Sequence, residues 1–600
     1  ATPSDPIWNE DGTWNRALIK LDDRNPMLSN SYNFKREYAT RSFNTVYASF
    51  DIWKGIKFAS TFSYDFVMNK SRAWKDPRTS DGDDDNGRFS KDYNDITNMT
   101  WSNILTYQTK IKKKHNLDLL AGYEINSKES DGLGTTISNF ARWDKPEVNN
   151  GVVYQSMGGS NSTTRIVSYI TRANYDYDNK YYLGASWRTD GSSRLARENR
   201  WGNFWSLSGA WRVSSESFMK PLQNWLSDLK LRVSYGVNGT LPSSYYGYMG
   251  LSSLTSNYND NPGITQSQLE NKELTWETNY NFNSGIDLGF FDNRLNVTFE
   301  YYVRTTKNLL YSRPLSLATG FSSYLANIGK LQNKGYELEI RSTNIETKDF
   351  RWSTSLNLGH NANKILKLDG DLKQVTSGTS IHKVGLPYST YYMIEFAGID
   401  PADGEPMFYK NTTDENGNLN KETTKDPRSA EKVILQCADP TITGGLGNSI
   451  SYKWFDLGLT FTYSLGGYSF DKTGTLIETD GSKEKSYNLP VYALDRWQKP
   501  GDRTDVPRFV LEQGAGPQNS SRYIHSTDHI RLKNLTLGFT LPGRWVQKAL
   551  IENARVYFSG SNLLTWAKWK QYDPEVPVNG EVFCEAPPMR TFNFGVEITF

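Results

Sequence analysis

Apolar and polar residues alternate with period two through almost all of this chain, and no other feature limits its fold as strongly. In the last ten residues Phe592, Phe594, Val596, Ile598 and Phe600 alternate with Thr591, Asn593, Gly595, Glu597 and Thr599. In a strand these two sets point to opposite sides of the sheet. Near the start, Phe58, Phe62, Tyr64 and Phe66 oppose Lys57, Thr61, Ser63 and Asp65. One face is apolar and the other carries charge, so the charged face meets water or a polar lumen. Taken alone, one such strand favours a soluble β-sandwich with one wet face.

The connections separate the two readings. Strands are predicted at about Arg41–Ile52, Ile56–Phe66, Ile96–Thr109, Leu117–Asn126, Arg165–Tyr177, Tyr181–Arg188, Asn203–Trp211 and Leu229–Gly236. Further ones follow at Leu274–Phe290, Arg294–Lys307, Gly335–Asn344, Phe350–Asn363, Thr443–Tyr452, Phe455–Gly466, His529–Leu541, Asn553–Asn562 and Thr591–Phe600. That makes about seventeen, many long enough to cross a bilayer at a tilt. Short links such as Trp53-Lys54-Gly55 and Asp178-Asn179-Lys180 alternate with long polar ones such as Val67–Asp95, Ser127–Thr164, Val237–Glu273, Ile365–Ile442 and Gly467–Asp528. Two compact links, Ser214–Asp228 and Pro542–Glu552, read as helical. Short turns at one end and long loops at the other mark an antiparallel transmembrane β-barrel.

Composition agrees. Aromatic residues are 14% of the chain while its mean hydropathy is -0.65, as girdles of Trp and Tyr on an otherwise alternating barrel require. No apolar run approaches the ~20 residues of a membrane-crossing helix. Sixty-eight basic residues against sixty-six acidic argue against a nucleic-acid partner bound through its phosphates. Cys437 and Cys584 form no CxxC; one bridge between them stays open.

If Phe600 ends on the periplasmic side, counting back makes the first strand run from outside to inside. Residues 1–40 are then an extracellular loop segment and 41–600 the barrel strands with their outer loops. An odd count starting outside predicts part of a barrel rather than a whole one.

Several segments, in order, resemble the C-terminal part of a SusC/RagA-type TonB-dependent transporter of Bacteroidota. They include Arg188-Thr-Asp-Gly-Ser-Ser-Arg194, Asn199-Arg-Trp-Gly202, Asp228-Leu-Lys-Leu-Arg-Val-Ser-Tyr-Gly236, Leu274-Thr-Trp-Glu-Thr278 and Gly320-Phe-Ser-Ser-Tyr324. Others are Asn327-Ile-Gly-Lys330 with Asn333-Lys-Gly335, Ala397-Gly-Ile-Asp-Pro401, Leu494-Asp-Arg-Trp497, Ile530-Arg-Leu-Lys-Asn-Leu-Thr-Leu-Gly538, Ser561-Asn-Leu-Leu564, Tyr572-Asp-Pro574 and the strand ending at Phe600. The resemblance implies a barrel of 22 strands filled by a plug. It implies import of oligosaccharides or peptides under a SusD-like surface lipoprotein, driven by TonB-ExbB-ExbD through the plug. This chain departs from that pattern in carrying no plug and about five strands fewer, so a plug-bearing N-terminal chain or fragment is expected as its partner. Asp190, Gly191, Arg194, Asn327, Gly329, Lys330 and Gly335 are the family landmarks. Phe592, Phe594 and Phe600 are the expected assembly signal, with outer-membrane lipid against the apolar face.

No catalytic motif occurs, and neither an enzymatic activity nor a cofactor is expected. His525 and His529 stand four apart, but in a strand and without a third ligand. Asp81-Gly-Asp-Asp-Asp-Asn-Gly87 offers hard oxygens for calcium, yet its glycine is one place late for an EF-hand and Asp92 stands where Glu belongs. Asp414-Glu-Asn-Gly-Asn418 reads as a turn. Lys112-Lys-Lys-His115 is a basic turn that either meets anionic headgroups or is solvated. Gly191 is read as permitting a tight turn across which Asp190 and Arg194 pair. Tyr245, Tyr246, Tyr248 and Tyr258 are candidate stacking platforms for ligand, or packing beneath a lid. Two other readings stay open: a secreted soluble β-protein that binds or degrades glycans, and an outer-membrane pore without an uptake role.

Overall fold

The structure, a computed structural model, describes residues 6–600 except 17–24, 260, 369, 371, 479, 483–488, 512–518, 547–550 and 576–578. Its main body is one sheet of seventeen strands. These are β1 Phe34–Trp53, β2 Ile56–Lys75, β3 Arg88–Ile111, β4 His115–Phe140, β5 Gly151–Tyr177, β6 Tyr181–Ser192, β7 Trp201–Arg212 and β8 Leu226–Thr240. They continue as β9 Glu277–Phe290, β10 Leu295–Lys307, β11 Lys330–Glu346, β12 Phe350–Lys367, β13 Ile442–Tyr452, β14 Phe455–Leu465, β15 His529–Thr540, β16 Asn553–Ala567 and β17 Thr591–Thr599. Each pairs antiparallel with the next, from β1–β2 through β16–β17. No ladder joins β1 to β17 among the described residues, so the sheet is an open meander and not a closed barrel.

Register carries one apolar face across the whole sheet. Directly opposed residues of antiparallel strands share a side, and residues two apart on a strand share it too. Val46↔Phe62↔Trp101 begins the face, Trp187↔Trp205 and Leu207↔Tyr235↔Phe282 continue it, and Leu356↔Leu446↔Phe461 follow. Leu459↔Leu535 and Leu537↔Phe558↔Phe594 complete it at the far edge. Phe58, Phe62 and Phe594 lie on this face, and Lys57, Asp65 and Glu597 on the other. The apolar side chains are not covered by protein: Leu207, Tyr235, Leu537 and Phe594 are all exposed.

The opposite face is held together by Arg–carboxylate pairs. Arg41 meets Asp65 at 2.8 Å, Arg232 meets Asp287 at 2.9 Å and Glu300 at 2.5 Å, and Arg555 meets Asp456 at 2.7 Å and Glu597 at 3.3 Å. A planar guanidinium that reaches two strands at once orders the polar side without requiring a hydrophobic core.

Beyond the sheet, loops build their own small layers. Before β1, a seven-residue helix Pro26–Tyr32 is capped by the side chain of Asn25, which accepts from the amides of Met27 and Leu28. Two compact links contain helical turns, at Val213–Ser215 with Ser217–Leu222 and at Gly543–Val546. Two sequence expectations change here. Val67–Asp95 and Ser127–Thr164 are mostly strand, because β2–β5 run on well past the alternating segments. The outer part of β5, Val152–Asn161, is exposed on both sides, so nothing imposes an apolar face, and hydrogen bonds to β4, from the ladder and from side chains such as Gln155 to Ser138, hold it extended.

Candidate functional site

The long-loop end gathers three connections that are far apart in the chain. Tyr391 and Met393 from the β12–β13 loop pack with Phe470 and Tyr523 from the β14–β15 loop. The Tyr391 hydroxyl donates to the Gly580 carbonyl of the β16–β17 loop at 2.6 Å, and Ile394 bridges to Ser520. Short strands Tyr468–Asp471, Ile524–Ser526 and Glu581–Val582 form one sheet from the last two of these loops. The three loops therefore form one connected layer.

Buried charge fixes that layer. Arg522 donates to Asp480 at 2.5 and 3.0 Å, with both side chains nearly inaccessible. Burial pushes the neighbouring Glu478 carboxyl above its usual range, and it accepts from the Tyr492 hydroxyl. Arg531 of β15, with 1% of its side chain exposed, donates to both Asp573 oxygens at 2.6 and 2.7 Å and to Glu575 at 3.2 Å. Lys533 reaches the same Glu575 at 2.9 Å. This clamp ties the β16–β17 loop to the strand wall. Arg522 and Asp480 carry no signal in the sequence reading, whereas Arg531 and Asp573 stand within the family-like segments Ile530–Gly538 and Tyr572–Pro574, which assign them no role.

The landmark residues make contacts within the fold. Asp190 does not pair with Arg194. It accepts from Arg188 at 2.7 and 2.9 Å, because β6 runs straight through Ser192 and places residues two apart on one face. Gly191 is accordingly in a strand, not a turn; a Cβ there would lie 2.9 Å from the Trp201 indole. Arg194 instead donates to Thr164 Oγ1 at 3.2 Å and the Pro242 carbonyl at 2.9 Å, and lies 4.3 Å over the Tyr245 ring. Asn327 mimics a strand partner, accepting from the Thr275 amide at 2.7 Å and donating to the Thr275 carbonyl at 2.9 Å. Gly329 has φ +94° and leads into Lys330, the first residue of β11. A Cβ on Gly335 would meet the His360 carbonyl oxygen at 2.0 Å.

Three of the four candidate tyrosines are half-buried. Tyr245 lies under Arg194, the Tyr246 hydroxyl accepts from the Thr163 amide at 3.0 Å, and Tyr248 packs on the cluster of Leu195, Phe204, Val237, Leu274 and Trp276. They pin the β8–β9 loop to the outer ends of β5 and β6. Tyr258 ends the short strand Leu251–Tyr258, and its side chain lies outside the described residues. Phe592 and Phe594 flank Phe558 at 6.2 and 5.1 Å, and Phe600 stands one residue past β17, exposed.

The metal candidates resolve into ordinary contacts. His525 stacks on Trp569 at 4.9 Å, and burial holds its imidazole down at about 4. His529 Nδ1 lies 2.8 Å from the Thr527 carbonyl. Asp81 accepts from Ser29 and Asn33, Asp83 pairs with Arg16, and Asp85 pairs with Arg88. Asp414 accepts from the amides of Asn416 and Asn418, as a turn requires. No metal-holding group of three His, Cys, Asp or Glu occurs among the described residues, and both cysteines are free thiols.

Toward the short-turn end, a concavity of about 760 Å³ is lined by polar-face residues including Asp118, Asn174, Tyr182, Arg232 and Glu300.

The family described as TonB dependent receptor-like, beta-barrel, matches residues 2–563. TonB-dependent receptor P3 of Formosa agariphila is 31% identical over 631 residues, covering 99% of this chain and 61% of that protein. TonB-dependent receptor SusC of Bacteroides thetaiotaomicron is 31% identical over 464 residues, covering 72% of this chain and 44% of that one. The solved structure of the RagAB peptide transporter is similar with a TM-score of 0.87 at 27% identity, covering 95% of this chain and 63% of that one. This chain spans less than two thirds of the length of each of these relatives. They are receptors and transporters, not enzymes. With the match running over nearly its whole length, the chain belongs to the TonB-dependent receptor-like β-barrel family.

Proposed function

We propose that this chain supplies most of the wall of an outer-membrane importer for oligomeric nutrients, oligosaccharides or peptides. The observation that carries this reading is the single apolar face shared by seventeen antiparallel strands and left uncovered by protein. In water such a face would be an aggregation surface; in a bilayer it meets acyl chains. It also weighs against the secreted soluble alternative.

Two strand edges cannot stay unpaired in hydrocarbon, where each unsatisfied backbone group costs several kcal/mol. β1 and β17 are therefore completed by strands from another segment, about five if the finished barrel has 22. That segment also brings the plug, which fills the charged lumen, with the concavity near Arg232 and Glu300 as part of its seat. Energy reaches the plug from TonB-ExbB-ExbD. A SusD-like lipoprotein closes over the loop layer. The wall contributes no bond chemistry: it holds a closed sheet in lipid, presents a polar interior to a hydrated ligand, and fixes the outer loops by buried ion pairs.

Purification of the native particle from membranes, followed by native mass spectrometry, tests this. The expected result is one complex containing this chain, a plug-bearing segment and a lipoprotein, with an oligomeric ligand retained. A particle lacking any plug-bearing segment would reject the importer reading.

A further inference from the structure

We infer that the short-turn rim around Lys112 and Lys113 is a binding site for the phosphodiester headgroups of anionic phospholipids. The inference rests on the reading of the sheet as a membrane wall.

The first observation is conformational. Lys112 and Lys113 both have positive φ, +48° and +60°. This left-handed region crowds the Cβ of any residue other than glycine, and hairpin turns that need it at two successive positions ordinarily fill them with Asn, Asp or Gly. The equivalent β5–β6 turn does so, with Asp178 and Asn179 both at +54°. The β3–β4 turn thus carries charge where backbone preference asks for something else, the kind of local cost that accompanies a functional role.

The second observation is electrostatic. Lys114 pairs with Asp178 at 3.4 Å, whereas Lys54, Lys112 and Lys113 are exposed and make no ion pair among the described residues. The turns form one surface. The backbone N–H of Gln108 donates to the Gly55 carbonyl at 2.8 Å, and that of Asp178 to the Lys114 carbonyl at 2.7 Å.

The third is the company these lysines keep. Trp53, Tyr107 and Ile111 lie on the apolar face directly beside the turns, and Trp53 is 75% exposed. Aromatic rings at headgroup level beside flexible ammonium groups provide for both halves of a lipid: acyl chain and glycerol against the rings, phosphate against the lysines. A free phosphate would use only the lysines and leave the exposed indole unexplained.

The test uses the full-length protein in its native complex, placed in nanodiscs of phosphatidylethanolamine with a minor share of phosphatidylglycerol. Native mass spectrometry reads the enrichment of phosphatidylglycerol among retained lipids. The second sample carries Lys112→Asn with Lys113→Gly, the pair this turn prefers, so folding is preserved. Wild type is expected to enrich phosphatidylglycerol, and the variant to lose roughly fivefold or more of that enrichment. Equal enrichment in both samples would overturn the proposal. So would its abolition by inorganic phosphate at matched ionic strength, which would mark a phosphate site rather than a lipid site. Failure of both proteins to enter these nanodiscs would instead reject the membrane-wall reading itself.

Discussion

Nη2 of Arg531, on the polar face of β15, donates to both carboxylate oxygens of Asp573, at 2.6 and 2.7 Å, in the loop that follows β16. The guanidinium is all but inaccessible, so the pair is satisfied only while that loop lies against the wall. Asp573→Asn leaves a buried cation short of its main partner and should cost about 3 kcal/mol. The measurement is urea unfolding of the detergent-solubilised particle, with limited proteolysis of the loop as a local readout. Unchanged protease resistance would show that the loop is held by other contacts.

Gly335 and Gly158 give opposite expectations for the same substitution. A Cβ at 335 would press on a backbone carbonyl, which cannot swing aside, so Gly335→Ala should destabilise by roughly 1–3 kcal/mol. Nothing lies within 4 Å of the Cβ position at 158, and Gly158→Ala should be neutral or stabilise by up to about 1 kcal/mol. Paired thermal melts decide it; equal effects would refute the close approach at β11–β12.

Acid should loosen the outer loop layer through His525. Burial lowers its imidazole to about 4 when folded, below the ordinary value of 6.5, so the unfolded chain binds the extra proton between those values. Stability from this group is present above pH 6.5 and is lost as pH falls toward 4, by up to about 3 kcal/mol. His525→Phe keeps a ring on Trp569 and removes the titration. A flatter pH profile between 6.5 and 4 is expected, and an unaltered one would remove His525 as the cause.

Much of this architecture was legible because membrane-like strands write their two faces into the sequence. Each predicted strand lies in the seventeen-stranded sheet or overlaps one of its members, and β17 differs from the reading by one terminal residue. The outer halves of β3, β4 and β5 were not legible. Around Val152–Asn161 neither face is buried, so period two has nothing to sort. The Asp190–Arg194 pairing failed for a related reason. Gly-Ser-Ser reads as a turn in isolation, but the ladder with β7 carries β6 through Gly191. Long-range ion pairs such as Arg522–Asp480 leave no local spacing to read, since 42 residues separate the partners.

Charge placed on the two faces should have unequal cost. Leu207 is on the apolar face and Ser206 on the polar one, adjacent in β7. Leu207→Arg should cost roughly 2–4 kcal/mol if its position is mid-bilayer, and Ser206→Arg far less. Folding titrations into lipid vesicles measure the difference, and equal costs would contradict the register.

The central claim, that lipid covers the apolar face, is tested most directly by spin labels at Leu207 and Phe594 against labels at Ser206 and Glu597 in the reconstituted full-length protein. Labels at Leu207 and Phe594 should collide with dissolved oxygen and be shielded from a water-soluble nickel chelate, and those at Ser206 and Glu597 should show the reverse. Chelate access at Leu207 and Phe594 equal to that at Ser206 and Glu597 would contradict the account.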